Sequence, residues 1–462
     1  MKHELTEKKA AQLLGVSVSR VSQLVGEGKL DYVTIRGNVR ISEESVLAYR
    51  DQGSQRRGRP AKTSSASVAR YTLMNADFEI GTVLYDSAAA EPFSLVDVAD
   101  ARRAPLGVLT RNGNQKKREL NEWWSHRSIP STRPGLDAKL LALGISSPAN
   151  AAARSMGLSL SDCYWLRPQD APHVTWEDVN YFENDFIDSS ESGWDDWLSG
   201  VGLSSPDNTS EGELPKKWVI SSDGNRYLLK GCRTDDQRPY NEAVATALYR
   251  RLLSPQDYVS YDVVDTADGP ACRCADFVRA REEYVPAALV RSIANSARGK
   301  NAYDRFCTTS ANLGADQQKL RAALSKMIIC DVILANSDRH WRNFGFVRDI
   351  DTLAMRPAPL FDTGNCLWFA KTAREASARD WAFAARPFAF DVHAQLAFVD
   401  DVSWFDPTAL TDFADEACDI LSASTWACAN GRLDYIREGI NRNIALVTNV
   451  AKVLESRIAR MG

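Results

Sequence analysis

The stretch that most constrains this chain lies between residues 320 and 346. "LRAALSKMIICDVILAN" reads as a helix, and its apolar run "MIICDVILA" leads directly into "NSDRHWRNFGF". Asn336, Asp338, His340 and Asn343 fall within eight residues, and a Phe-Gly-Phe step follows. Such a loop is a satisfied polar turn, a metal site or a catalytic loop. A metal hydrolase would want several histidines at ligand spacing, and the chain has five His in all, none close to His340. The helix leading in would hold the loop rigidly, as a catalytic loop requires.

The rest of the chain bears on that choice. Nineteen residues past Asn343, "PLFDTGNCLW" sets Asp362 after an apolar, strand-like step. Phosphoryl transfer needs an acid to orient or receive the substrate hydroxyl proton, and an amide and a second carboxylate to hold magnesium on the phosphates. Asp338, Asn343 and Asp362 supply that set in the order found in kinases, and Asp338 to Asn343 has the D-x-x-x-x-N spacing of a kinase catalytic loop. Upstream, "WVIS" and "RYLLK" flank "SDGN", a hairpin turn signal. Lys230 ends the second of these strands, and twelve residues later Glu242 lies in "NEAVATALYRRL", a helix with apolar Val244, Leu248 and Leu252. A strand lysine paired with a helix glutamate holds ATP phosphates in kinases. Taken alone, Lys230 also reads as an edge-strand charge. Before the hairpin, "TSEGELPKK" contains Gly212, Lys216 and Lys217, a composition that brings backbone N–H groups and cations to phosphate oxygens.

Together, "NSDRHWRNF", "FDTG", "GELPKKW", "RYLLKG" and "NEAVA" resemble the HipA-type serine/threonine protein kinase family, over about residues 70–455. The upstream "SLSDCYWLRP" and "WEDVNYFENDF" are similar to a subgroup of it. The resemblance implies that Asp338 is the catalytic acid/base and that Asn343 and Asp362 are magnesium ligands. It implies ATP contacts from Lys230, Glu242, Gly212 and Lys216, and an adenine edge read by backbone around Phe277 and Val278. His340 is expected to support the loop. Thr209 stands where such kinases autophosphorylate a serine, and Ser210 is adjacent. Phosphate there is expected to compete with ATP for Lys216, Lys217 and the loop N–H groups, silencing the kinase; the alternative is that both hydroxyls only cap the turn. Two departures stand out. Leu214 occupies a position where the family often has Gln, and the DNA-binding element that HipA proteins commonly obtain as a separate antitoxin is here fused in the chain.

That element stands at the start of the chain, where residues 1–62 carry twelve Lys/Arg against seven Asp/Glu although the whole chain nets −4. A basic module on an acidic body points to an anionic partner for the module alone. "LTEKKAAQLLGVSVSRVSQLVGEGKL" reads as two short helices, with Thr6 capping the first and Ala10, Leu13 and Leu14 giving helical spacing. Ala11, Gly15 and Val21 have helix-turn-helix separations, leaving Ser19, Arg20, Ser22 and Gln23 exposed on the second helix. "LDYVTIRGNVRIS" follows as a hairpin, or wing, with Arg36, Asn38 and Arg40. This order resembles the excisionase and MerR-like winged helix-turn-helix family; a scaffold for protein contact is the alternative. Arg57-Gly58-Arg59-Pro60 resembles an AT-hook core, which would set Arg57 and Arg59 into a narrow minor groove, and equally reads as a basic linker.

The expected fold is multidomain α+β: a small winged helix-turn-helix followed by a bilobal HipA-like, protein-kinase-like fold. Expected boundaries are 1–51 for the DNA-binding domain, 52–67 for the linker, 68–205 for a HipA-like N-terminal subdomain, 206–288 for the kinase N-lobe and 289–462 for a mainly helical C-lobe. The aromatics of 68–205 are expected to be core with a polar rim, and His126 with Asp162 has no nucleophile to complete a triad. Ile436, Ile440, Val447, Leu454 and Ile458 mark a core-facing terminal helix. Nine scattered cysteines without Cys-x-x-Cys pairs support neither a disulfide framework nor a zinc ribbon. Charges throughout the first fifteen residues and the lack of an 18-residue apolar run predict a cytoplasmic protein without a membrane span. The expected activity is ATP- and Mg2+-dependent phosphorylation of Ser or Thr on a protein substrate, by a toxin-like or stress-regulatory kinase that binds DNA and autophosphorylates. Whether an antitoxin partner exists, and the oligomeric state, stay open. The rivals are a transcriptional regulator whose kinase-like body senses nucleotide without transferring phosphate, and a lipid or small-molecule kinase.

Overall fold

The structure, a computed structural model, describes residues 4–14, 21–22, 24–25, 29–35, 38–42, 45–46, 68–110, 113–129, 136–186, 206, 216–231, 236–266, 269–294 and 299–461. It divides into two units, Met1–Val68 and Ala69–Gly462.

In the first unit, the Thr6 hydroxyl accepts a hydrogen bond from Lys9 N at 3.3 Å and so starts helix α1 (Glu7–Leu14). Strands β1 (Glu4–Leu5), β2 (Tyr32–Ile35) and β3 (Asn38–Ser42) form a sheet in the order β1-β3-β2, with Ile35 opposite Asn38 in the expected hairpin. Ala10, Ala11, Leu14, Val21, Leu24, Leu30 and Ile41 close a small core. Leu13 lies outside it, 36% exposed, because the face of α1 toward that core is set by Ala10, Ala11 and Leu14.

The second unit begins with a four-stranded sheet in the order β6-β5-β4-β7: β4 (Val68–Asn75), β5 (Phe78–Asp86), β6 (Glu91–Val96) and β7 (Tyr164–Pro168). Helices α2 (Lys117–Ser125), α3 (Leu136–Ala142) and α4 (Pro148–Arg154) fall between β6 and β7. Trp124, Trp165, Trp176 and Tyr181 are all buried, so these aromatics are core as expected. Asp162 pairs with Arg127 at 2.5 Å. The second sheet, β10-β11-β9-β8, comprises β8 (Lys216–Ile220), β9 (Arg226–Gly231), β10 (Tyr261–Thr266) and β11 (Gly269–Ala275), with α5 (Arg238–Leu252) between β9 and β10. The β8–β9 hairpin turns through Gly224 at φ +81°, as "SDGN" demands.

A third sheet, β12 (Glu282–Pro286), β13 (Gly345–Asp349) and β14 (Met355–Pro357), sits among α6 (Ala287–Ala294), α7 (Ala302–Asn312), α8 (Gln317–Ile333) and the long α9 (Arg432–Met461). Ile436, Ile440 and Val447 of α9 enter the largest core beside Ile328, Ile329 and Val332 of α8. Two sheets are locked together across the unit. Arg348 of β13 pairs with Glu283 of β12 and donates to the Tyr164 hydroxyl of β7 at 3.0 Å, and all three are buried.

Gly345 explains the Phe-Gly-Phe step. It pairs with Pro286, and a Cβ there would overlap Val285 O and lie 2.9 Å from Ala287 N. Backbone cannot yield as a side chain can, so Gly345→Ala is expected to cost about 1–3 kcal/mol. The urea unfolding midpoint measures this. An unchanged midpoint would mean that β12 and β13 separate freely.

Candidate active site

Helix α8 delivers the loop, and one buried ion pair shapes it. Ala335, at φ +50°, turns the chain out of the helix. Arg339 then folds back inside with no exposed surface. Its guanidinium forks onto Asp331 at 2.8 and 2.9 Å, and also donates to Asn343 O and Phe361 O, both at 2.7 Å, and to Thr363 Oγ1 at 3.1 Å. Burial alone would weaken the charge of Arg339, but Asp331 more than offsets it and holds the pKa above that of free arginine. Asn336 bridges the same acid to Asp338: Nδ2 donates to Asp331 Oδ1 at 2.8 Å, and Oδ1 accepts from Asp338 N at 3.0 Å. Asp331 and Arg339 were not singled out from sequence, although an aspartate inside "MIICDVILA" is a signal, since a buried acid needs a partner.

Around this anchor the loop closes on itself. Asp338 O accepts from His340 N at 2.7 Å and from Asn343 Nδ2 at 3.2 Å. His340 O accepts from Asn343 N at 2.9 Å, and His340 Nδ1 accepts from Arg342 N at 3.2 Å. The His340 ring thus faces its own loop. The Asp338 carboxylate takes one hydrogen bond at Oδ2, from Asn365 Nδ2 at 2.6 Å.

Lys230 projects from β9 to a second cluster around Asp362. Its ammonium lies 2.7 Å from Asp362 Oδ1, 3.5 Å from Glu242 Oε1 and 3.2 Å from the Tyr261 hydroxyl. Burial alone would depress its pKa, but Asp362, then Tyr261 and Glu242, hold it well above the ordinary lysine value. Burial opposes the charge of Asp362 as well, yet Lys230 and then Lys216 keep that carboxyl below the usual carboxylate range. For Glu242 burial prevails over Lys230 and lifts the pKa. Lys230 therefore commits chiefly to Asp362, the closer carboxylate. Asp362 adopts φ +56°, a left-handed turn that only a strong local constraint maintains in a non-glycine residue. Here Tyr261 OH accepts from Asp362 N at 3.3 Å, and Glu242 Oε2 accepts from Thr363 N at 2.9 Å. Asn241 of α5 and Gln237, just before that helix, hold the following carbonyls: Gly364 at 2.7 Å, Cys366 at 3.0 Å and Leu367 at 3.3 Å.

The sheet face carrying Lys230 is apolar beyond it. Leu228, Tyr261, Cys272, Cys274, Phe277 and Phe361 cluster there, and Phe277 stacks on Phe361 at 5.3 Å. Val278 N already donates to Asp276 Oδ1 at 3.0 Å. Lys216 lies opposite Lys230 in the β8–β9 ladder, whereas alternation turns Lys217 to the other face, with Leu229. Lys217 is buried there, so it does not join Lys216 toward Lys230 as expected. In the first unit Ser22 is exposed and Arg40 half-buried. Ser19, Arg20, Gln23, Arg36, Arg57, Arg59, Thr209, Ser210 and Gly212 lie outside the described residues.

Among the described residues no three His, Cys, Asp or Glu side chains converge as a metal cage. Magnesium needs none, because one or two protein ligands plus phosphate oxygens and water complete its shell. The ionised carboxylate of Asp362 and the amide oxygen of Asn343, whose Nδ2 is spent on Asp338 O, fit that need.

Known proteins bear on both units. Residues 4–54 match a family model described as a helix-turn-helix domain. A chain in the Shewanella oneidensis toxin–antitoxin complex of HipA, HipB and operator DNA aligns over 83% of this chain and 99% of its own, at 15% identity and TM-score 0.50. The protein is thus a mixed α/β chain that joins a helix-turn-helix domain to a body of HipA-like, kinase-like fold. In sequence, the serine/threonine-protein kinase CtkA of Helicobacter pylori is 27% identical over 99 residues, 21% of this chain and 30% of that kinase. This chain therefore matches less than a third of that relative's length. A crystal structure of the H. pylori proinflammatory kinase CtkA aligns over 53% of this chain and 94% of its own, at 16% identity and TM-score 0.40. No helix among the described residues is long and apolar enough to cross a membrane.

Proposed function

We propose that this chain is an ATP- and Mg2+-dependent serine/threonine protein kinase of HipA type with a fused DNA-binding domain. The observation that carries this reading is the joining of two groups of residues: Lys230 pairs with Glu242 and Asp362, and the segment of Asp362 is tied to the loop of Asp338 and Asn343 by Arg339, which donates to Phe361 O and Asn343 O, and by Asn365, which donates to Asp338. Lys230 and Lys216 bind the ATP phosphates, while Glu242 keeps Lys230 in place. The apolar face around Leu228, Phe277 and Phe361 takes the adenine. Bound Mg2+, held by Asn343 and Asp362, supplies charge neutralisation on the phosphates. Asp338 receives the proton of a Ser or Thr hydroxyl as that oxygen bonds to the γ-phosphorus and ADP leaves. The Arg339 network keeps these groups in register, so that little reorganisation is left for the reaction. His340 braces the loop.

Autophosphorylation at Thr209 or Ser210, beside Gly212, belongs to the same reading and would silence the kinase by competing for Lys216. The HipA relative in complex with HipB and operator DNA supports DNA and an antitoxin as partners, and a toxin-like or stress-regulatory role. Incubating the purified chain with γ-labelled ATP and magnesium tests the kinase: label on serine or threonine supports it, and ATP binding without transfer refutes it. DNA binding is tested on the full chain. Its affinity for duplex DNA is expected to fall steeply with salt, and Arg40→Ala to reduce the logarithmic salt slope by about 1. Binding that ignores salt would remove the DNA-binding role.

A further inference from the structure

Asn365, three residues beyond Asp362, has no role in the reading above. Its backbone oxygen accepts from Ser337 N and Ser337 Oγ, both at 3.4 Å, so the metal-loop segment runs alongside the start of the catalytic loop. Its side-chain amide donates to Asp338 Oδ2 at 2.6 Å, the one hydrogen bond that the Asp338 carboxylate accepts among the described residues. Among the described residues, every other hydrogen bond of Asp338 involves its backbone: N donates to Asn336, and O accepts from His340 and Asn343. An aspartate's terminal torsion is broad, so backbone anchoring alone leaves the carboxylate free to turn. Asn365 itself cannot drift, because Asn241 holds the carbonyls on both sides of it, Gly364 and Cys366. Asn241 directly precedes Glu242 on α5, the helix that faces Lys230.

We propose that Asn365 is a positioning residue for phosphoryl transfer: its amide pins Asp338 Oδ2 and leaves Oδ1 as the oxygen that receives the hydroxyl proton. A neutral donor suits the task, since it orients the carboxylate without placing a second negative charge beside it. The same segment links the ATP lysine to the proton acceptor. α5 faces Lys230 through Glu242, and through Asn241 it holds the segment from which Asn365 reaches Asp338. The proposal rests on Asp338 acting as the base.

The test compares the parent chain with Asn365→Ala, Asn365→Asp and Asp338→Ala in steady-state phosphoryl transfer, together with binding of a fluorescent ATP analogue. Asp preserves the shape of Asn but replaces its donor with an anion, so a space-filling role and a positioning role predict opposite orders. Positioning predicts that kcat falls about ten- to a hundredfold in the Ala variant, with a further fall in the Asp variant. The KM for ATP and the affinity for the analogue are expected to stay within about twofold of the parent, and retained analogue binding shows that each variant is folded. An Asp variant more active than the Ala variant would overturn the proposal. So would parental kcat in both variants while Asp338→Ala is inactive, and in that case the kinase reading stands. Transfer retained by Asp338→Ala would remove the base itself, and the proposal with it.

Discussion

Asp338→Ala is expected to lower phosphoryl transfer by about 10²- to 10⁴-fold, the range over which a positioned base contributes, with ATP still bound and the fold intact. The fold survives because, among the described residues, the carboxylate accepts one hydrogen bond, from Asn365, while the loop around it is held by backbone contacts and by Arg339. ATP binding survives because Lys230, Glu242 and Asp362 form their own cluster. Circular dichroism and nucleotide binding at parental levels, with transfer lost, is the expected pattern. Transfer at the parental rate would mean that another group takes the proton.

Arg339→Met is expected to fail differently, by destabilising the fold. Arg339 is fully enclosed, and its removal leaves Asp331 as a buried charge while Asn343 O, Phe361 O and Thr363 Oγ1 lose their donor. Breaking a buried pair from one side typically costs about 3–5 kcal/mol. That is a large part of the roughly 5–15 kcal/mol that holds a typical domain together. Arg339→Lys keeps the charge but not the fork, and is expected to recover only part of the loss. The double variant Arg339→Met with Asp331→Leu removes both charges and is expected to unfold later than Arg339→Met alone. Urea unfolding followed by fluorescence measures all three. If Arg339→Met keeps the parental midpoint, the ion pair contributes nothing to the fold. Activity is expected to vanish in Arg339→Met even where the protein remains folded, because the catalytic and metal loops lose the cation that joins them.

The two variants also separate what was legible in the residues from what was not. Asp338, Asn343, Asp362, Lys230 and Glu242 could be picked out because each sits at a boundary that local chemistry announces. Lys230 lies at the end of a strand after a Gly-containing turn, Glu242 in the first half of a helix, and Asp338 just past an apolar helix. Lys216 and Lys217, adjacent in the chain, looked equivalent, and strand alternation sent them to opposite faces. Leu13 looked like core, but only one face of α1 meets the small first core. Phe277 was chosen for its backbone, while the structure shows its ring stacked on Phe361.

The sequence by itself determined the local elements: the helix-turn-helix order and its hairpin, the β8–β9 hairpin, α5, α8, and the polar loops that follow them. Periodicity, caps and turn residues act over a few positions, so neighbouring residues carry them. Only the tertiary structure decided which of those loops meet and through which atoms. Lys230 reaches Asp362 across 132 positions, Arg339 reaches Thr363 across 24, and Asn365 reaches Asp338 across 27. Contacts at such separations depend on how sheets and helices pack, with loop closure that local propensity does not encode. The Arg339–Asp331 pair is the clearest case. Its two residues are eight positions apart, and burial makes their charges the joint between the two loops.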